Sequence, residues 1–107
     1  MQRGEVFALP TPRGARGREQ HGKRYGVVLQ ADELLALSTV LVAPTSTRAR
    51  PASFRPEIDV AGARTRVLLE QLGAVDPQRL GDSVGFVTHE ELRAVERAAA
   101  AVLGLSE

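Results

Sequence analysis

GREQHGKRYGVVLQ, residues 17–30, places a short basic segment with one Glu and one Gln directly ahead of an apolar run. Tyr25 to Gln30 is rich in β-forming residues and predicts a buried strand. The residues before it, 10–23, mix Pro, Gly and Arg and predict a polar loop. A loop of that length in a compact domain commonly carries function.

The rest of the chain reads outward from that strand. Upstream, Glu5 to Leu9 (EVFAL) is a first short strand, ended by Pro10 and Pro12. Downstream, Ala31 to Leu37 reads as a helical turn or irregular connection. Ser38 to Ala43 (STVLVA) is another apolar strand, with Pro44 as its expected stop. Residues 44–53 (PTSTRARPAS) form a second polar loop, hydroxyl-rich and basic. Phe54 to Val60 alternates around Ile58 and Val60 and predicts a more exposed strand. Arg66 to Leu72 is a further apolar run, and Pro77 to Leu80 a turn. Gly81 to Val87 is a last strand, with Gly85 at a bend.

The C-terminal segment has the clearest signals. Thr88 and Glu91 have the spacing of a capping box, and Val87 and Leu92 that of a hydrophobic staple. Leu92, Val95, Ala99, Val102 and Leu103 then recur at helical spacing, and Gly104 supplies the stop. Arg93, Glu96 and Arg97 fall on the more exposed side. Five or so short strands and one helix predict a small, mostly antiparallel β-barrel with a C-terminal helix. No repeat or second unit is visible, so one domain over residues 1–107 is expected.

Composition limits the chemistry. The chain has 107 residues and no Cys, which excludes disulfides, thiolate catalysis and Cys-based zinc sites. His21 and His89 lie far apart without accompanying carboxylates, so no metal is expected, and no cofactor motif is present. No run approaches the length of a membrane span, and the first ten residues do not read as a signal peptide, so a cytoplasmic protein is expected. Net charge is +1 but uneven. Residues 1–55 hold eight Arg and one Lys against four acids, whereas residues 56–107 hold five Arg against nine acids. The first half therefore suits a polyanion. Arg also suits bidentate phosphate contact, although genome composition alone produces the same bias.

Two polar loops next to buried strands remain as candidates. The first carries Arg16, Arg18, Glu19, Gln20, Lys23 and Arg24; the second carries Thr45, Ser46, Thr47, Arg48 and Arg50. In an antiparallel barrel, residue 24 at the start of one strand can lie beside residue 46 at the end of the next. An Arg, a hydroxyl and a carboxylate suit phosphodiester cleavage. The guanidinium stabilises charge on the phosphorane oxygens, the hydroxyl orients a phosphate oxygen, and Glu19 takes the proton of a ribose 2′-OH. His21 is a weaker candidate for touching phosphate or shuttling a proton. On composition alone, two ordinary solvated loops are the favoured reading.

Five blocks in order resemble the MazF/PemK family of toxin endoribonucleases. RGEVF (3–7) looks like the family's opening strand. GREQHGKRYGVVLQAD (17–32) is similar to its G-S-E-Q-x-G-x-R-P-V-V-V-x-Q-N-D hallmark. VLVAPTST (40–47) resembles V-x-V-x-P-[LIC]-T-[ST]. LLEQLGAVDPQRLG (68–81) resembles the D/E-Q-[IL]-R-x-[VI]-D-x-x-R-L segment, and THEELRAVERAAAAVLGL (88–105) the closing helix. The resemblance implies an SH3-like barrel with a C-terminal helix. It further implies a homodimer that cuts single-stranded RNA (mRNA, with tRNA or rRNA as other targets) without metal, leaving 2′,3′-cyclic phosphate and 5′-OH ends. A cognate antitoxin would block the site.

Carried over by motif, the catalytic Arg falls on Arg24, the Glu on Glu19 and the catalytic Thr on Ser46, which keeps the hydroxyl. RNA contacts fall on or near Arg16, Arg18, Gln20, Lys23, Thr45, Thr47, Arg48 and Gln71. The sequence departs from the motif at Arg18, Tyr25-Gly26, Ala31 and Gly73. Two other readings share the barrel. One is a catalytically degenerate paralogue that only binds antitoxin or RNA. The other is a gyrase-binding toxin like CcdB, whose helix tip is aromatic where this one reads GLSE.

Overall fold

A computed structural model describes residues 1–10 and 24–105. Among the described residues, seven strands form one curled antiparallel sheet: β1 (Glu5–Leu9), β2 (Arg24–Val28), β3 (Val40–Ser46), β4 (Glu57–Val60), β5 (Ala63–Val67), β6 (Gly73–Val75) and β7 (Ser83–Phe86). Helix α1 spans His89–Val102 and follows the last strand. Strand order is β4-β5-β3-β2-β1-β7, with β6 paired to β3. The result is a half-barrel with one C-terminal helix, the expected architecture.

Burial explains why the sheet curls. Successive side chains on a strand point to opposite faces, and the central strands are covered on both. On one face Val6, Val27, Ala43, Ile58, Val60, Val67 and Leu69 pack with Val95 and Ala98 of α1. On the other face Val28, Val40 and Val42 pack beneath Phe7, Leu35, Val75 and Leu80. The helix therefore covers the first cluster, while Phe7 and Val75 from the strands and Leu35 and Leu80 from the connections pack on the second.

Helix α1 is fixed at both ends as its sequence indicates. The Thr88 side chain accepts from the Glu91 N–H (3.0 Å), and Glu91 Oε1 accepts from the Thr88 N–H (2.8 Å). Val87 and Leu92 both lie against Gly4. At the C-terminus, Gly104 adopts φ +73°, and the N–H groups of Gly104 and Leu105 donate to the carbonyls of Ala101 and Ala100. These bonds satisfy carbonyls the helix leaves open. Gly85, at φ +127°, lies beside a bulge: Val6 pairs with Gly85 but Phe7 pairs with Ser83. The expected bend is there.

Four expectations need correction. Pro44 does not end its strand. β3 continues to Ser46, because Pro44 lies where the ladder partner changes from β6 (Val42 opposite Gly73) to β5 (Thr45 opposite Val67). The Pro44 carbonyl accepts from Leu68 N–H on that side (2.8 Å), so its missing donor falls in the gap between two partners. Thr45 and Ser46 are consequently strand residues rather than loop residues. The run before Leu72 contains a strand from Ala63, joined to β4 by a two-residue turn at Ala61 (φ 52°) and Gly62 (φ 85°). Positive φ at both positions is the geometry that matches strand twist in a tight hairpin. β4 starts at Glu57 rather than Phe54, and β6 was not anticipated. Finally, Val102 and Leu103 are exposed, and of the residues of α1 Val95 and Ala98 are the buried ones.

Candidate functional site

β2 and β3 build the site. Gly26 pairs with Pro44, Val27 with Ala43 and Val28 with Val42. Continued by two residues, that register sets Arg24 opposite Ser46. Residues directly opposite share a face, so the Arg24 side chain and the Ser46 hydroxyl leave the same side of the sheet. Leu9 flanks Arg24 on β1, and Arg66 flanks Ser46 on β5. The row Leu9, Arg24, Ser46, Arg66, Glu57 thus crosses five strands.

The Ser46 side chain is oriented locally. Its Oγ accepts from the Arg48 N–H (3.1 Å), a turn that starts the loop after β3. A hydroxyl that accepts one bond keeps its own proton for donation. Thr45 points the other way. It is 1% exposed, and its Oγ1 accepts from the Tyr25 N–H (3.2 Å). That bond ties the start of β2 to the end of β3, next to Arg24 and Ser46. Thr47 and Arg48 are exposed on the loop.

The loop between β3 and β4 is held from below by charge. Arg55 Nη2 lies 2.7 Å from Glu70 Oε2, Arg55 Nη1 donates to the Arg50 carbonyl (3.1 Å), and its guanidinium lies 5.2 Å from the Phe54 ring centroid. Arg66 Nη1 donates to the Arg55 carbonyl (2.9 Å). The hydrogen bond from Arg55 holds the Glu70 carboxyl below its ordinary value, against the opposing effect of burial. Gln71 is exposed on the 3-10 turn Leu69–Gln71 that follows β5, beside Glu70.

Continued past Gly26–Pro44, the β2–β3 register brings Arg24 and Ser46 to one face, and Thr47 and Arg48 follow Ser46 in the chain. Thr45 is buried. Arg16, Arg18, Glu19, Gln20 and Lys23, together with His21, lie outside the described residues. Sequence reasoning missed Arg66, Arg64 and Glu57. Glu57 shares its two oxygens between Arg64 Nη2 (3.1 Å) and Arg66 Nη2 (3.2 Å). Surface pairs of this kind contribute about 0.2–1 kcal/mol each. The signal was present in ARTRV (63–67): period-two alternation puts Arg64 and Arg66 on one face with Thr65 and Val67 buried on the other. Among the described residues no group of three His, Asp or Glu is placed to hold a metal ion. No described helix is long and apolar enough to cross a membrane.

Comparison with known proteins agrees with this architecture. The family model for the PemK-like, MazF-like toxin of type II toxin-antitoxin system matches residues 2–103. A Mycobacterium tuberculosis (H37Rv) protein named "Putative toxin Rv3098A/RVBD_3098A" is 40% identical over 104 residues, covering 96% of this chain and 97% of the relative. An endoribonuclease solved with its cognate antitoxin from a mycobacterial species superposes with a TM-score of 0.81. It is 17% identical and covers 100% of this chain and 98% of its own. The MazE-MazF complex of Deinococcus radiodurans gives a TM-score of 0.76 at 22% identity, covering 99% and 97% of the two chains. At those identities the solved structures establish the fold, while the family match and the 40% identical relative establish kinship: the chain belongs to the PemK-like, MazF-like toxin family of type II toxin-antitoxin systems.

Proposed function

We propose that this chain is a sequence-specific endoribonuclease that cuts single-stranded RNA, with Arg24, Ser46 and Glu19 as its catalytic residues. One observation supports the reading: the β2–β3 ladder runs to Gly26 opposite Pro44, and continued by two residues it brings Arg24 opposite Ser46 on one face. A guanidinium and a hydroxyl so placed can grip the non-bridging oxygens of one phosphate. Arg24 stabilises the charge that develops there, and Ser46 donates its proton to orient the group. Glu19, five residues before Arg24 in the chain, abstracts the 2′-OH proton. The 2′ oxygen then attacks phosphorus and expels the 5′ oxygen, which takes a proton from solvent water, leaving a 2′,3′-cyclic phosphate and a 5′-OH. The ribose supplies the nucleophile, so the step needs no metal-bound water.

Arg16, Arg18, Gln20, Lys23, Thr47, Arg48 and Gln71 would contact the rest of the RNA. Thr45 is better suited to fixing the strand pair than to touching substrate, because its hydroxyl is already bonded beneath the surface. Residues 1–107 would act as one domain, as a cytoplasmic homodimer inhibited by a cognate antitoxin. Support for those partners comes from relatives solved as complexes with antitoxin. The exposed apolar residues Val102, Leu103, Leu105 and Phe86 offer surface for such contacts.

The test is incubation of the purified protein with long single-stranded RNA in excess EDTA, beside Arg24→Ala and Ser46→Ala, with mapping of 5′ ends. Discrete cuts with 5′-OH ends, lost in both variants, support the assignment. Intact RNA together with tight antitoxin binding would favour a degenerate binder instead.

A further inference from the structure

We propose that Arg66 is a further phosphate-binding residue, which holds the RNA backbone one step beyond the scissile phosphate, along β5. The inference rests on the reading of Arg24 and Ser46 as the cleavage pair. Its structural basis is independent of any motif: Arg66 is the direct cross-strand partner of Ser46 on the side away from Arg24. Ser46 is therefore flanked by a guanidinium-bearing residue on each neighbouring strand. Strands lie about 4.8 Å apart, so the two arginines bracket a width of about 10 Å centred on the hydroxyl. An RNA strand gripped at Ser46 and running across the strands meets Arg66 next.

The free protein holds the Arg66 guanidinium in reserve. It bonds the Arg55 carbonyl through Nη1 and Glu57 Oε2 through Nη2. Glu57 is not dedicated to it, since Oε1 is bound to Arg64, and Asp59 stands opposite Arg64 on the neighbouring strand. A carboxylate shared between the exposed Arg64 and the half-buried Arg66 is divided between two guanidiniums, and an RNA phosphate offers two oxygens in the fork geometry Arg prefers. Arg66 can therefore exchange Glu57 for phosphate while its Nη1 bond keeps the side chain aligned. Glu57 then acts as an internal competitor of the RNA.

The experiment uses the whole protein and a fluorescent single-stranded RNA with every 2′-OH methylated, which blocks the attacking group and separates binding from cleavage. Affinity is measured by anisotropy across a KCl series for the wild type, Arg66→Ala, Arg66→Lys, Glu57→Gln and the helix control Arg93→Ala, with a thermal melt of each. Arg66→Ala is expected to bind severalfold more weakly, with the slope of log K against log salt shallower by about 0.7, the value for one lost phosphate contact on a single strand. Arg66→Lys keeps the slope, Glu57→Gln binds more tightly, and Arg93→Ala is unchanged. A folded Arg66→Ala with wild-type affinity and slope overturns the inference. So does a loss of affinity with unchanged slope, which marks a purely structural role. Cleavage of unmodified RNA by the wild type and Arg66→Ala at sub-saturating protein, run in parallel, keeps the two readings apart: cutting that is indifferent to Arg66 sinks only this inference, and absence of cutting by the wild type sinks the cleavage reading itself.

Discussion

Arg55 and Glu70 face each other across the base of the loop after β3, with Nη2 and Oε2 2.7 Å apart. The same guanidinium closes the loop through the Arg50 carbonyl. Glu70 therefore holds the segment that carries Thr47, Arg48 and Arg50 through one intermediary. Its carboxyl is depressed below the ordinary value of 4.5 by the Arg55 bond. A carboxylate with a lowered folded-state pKa stabilises the fold above its unfolded pKa, and that stability is lost as pH falls through the folded value. Melting temperature is thus expected to drop below pH 4.5 in the wild type, with a smaller drop in Glu70→Gln, which has no carboxylate there to protonate. Equal acid slopes in the two proteins would show that the pair contributes nothing.

Gly26 permits the close approach of its neighbours. A Cβ built there meets Val42 Cγ1 at 2.5 Å and Leu9 Cδ2 at 3.2 Å. Val42 is buried and β-branched, so it cannot rotate away cheaply. Gly26→Ala is expected to destabilise by about 1–3 kcal/mol through overpacking. The substitution is two residues from Arg24 on the same face, so RNA cleavage should fall with it. Chemical denaturation gives the first number, and an unchanged midpoint would mean that the core yields more easily than its packing indicates.

The hairpin between β4 and β5 offers the opposite change. Ala61 sits at φ 52°, where an L residue with a Cβ is strained, and Asn visits that region far more readily. Asn-Gly is also the preferred pair for this turn. Ala61→Asn is expected to stabilise the protein by up to about 1 kcal/mol without altering any RNA property, because the turn lies at the far end of β5 from Arg66. A neutral or negative shift in the denaturation midpoint would count against the strain argument.

The start of the helix was readable from sequence because caps act within one turn: Thr88 and Glu91 bond each other there, and the bond from the Asp59 N–H to Glu91 Oε2 (2.9 Å) is the part that local sequence does not announce. β1 and β2 were readable because apolar runs bounded by Pro and polar residues leave few alternatives. Pro44 misled because its cost depends on which neighbour stands opposite, and that neighbour is supplied by chain 23 to 29 residues later (Val67 and Gly73). Arg66 went unnoticed for the same reason. The alternation in ARTRV gives its face, but its position beside Ser46 is a fact of long-range pairing. The Arg24–Ser46 alignment could be anticipated, since it needs only two consecutive antiparallel strands in the expected register.

That alignment makes the sharpest kinetic prediction. Removing a preorganised donor from a site where charge develops typically costs about 10²–10³ in rate. Arg24→Ala should lose that much in single-turnover cleavage while keeping its melting temperature, since Arg24 begins its strand and is only half-buried. Ser46→Ala should also lose most of its activity. Ser46→Thr should stay within a few-fold of wild type, because it preserves the hydroxyl and a β-branched residue suits a strand end. The three variants separate chemistry from folding: a Thr variant as slow as the Ala variant would show that Ser46 acts through local shape rather than through its proton, and a folded Arg24→Ala that still cuts at near wild-type rate would remove Arg24 from the catalytic pair.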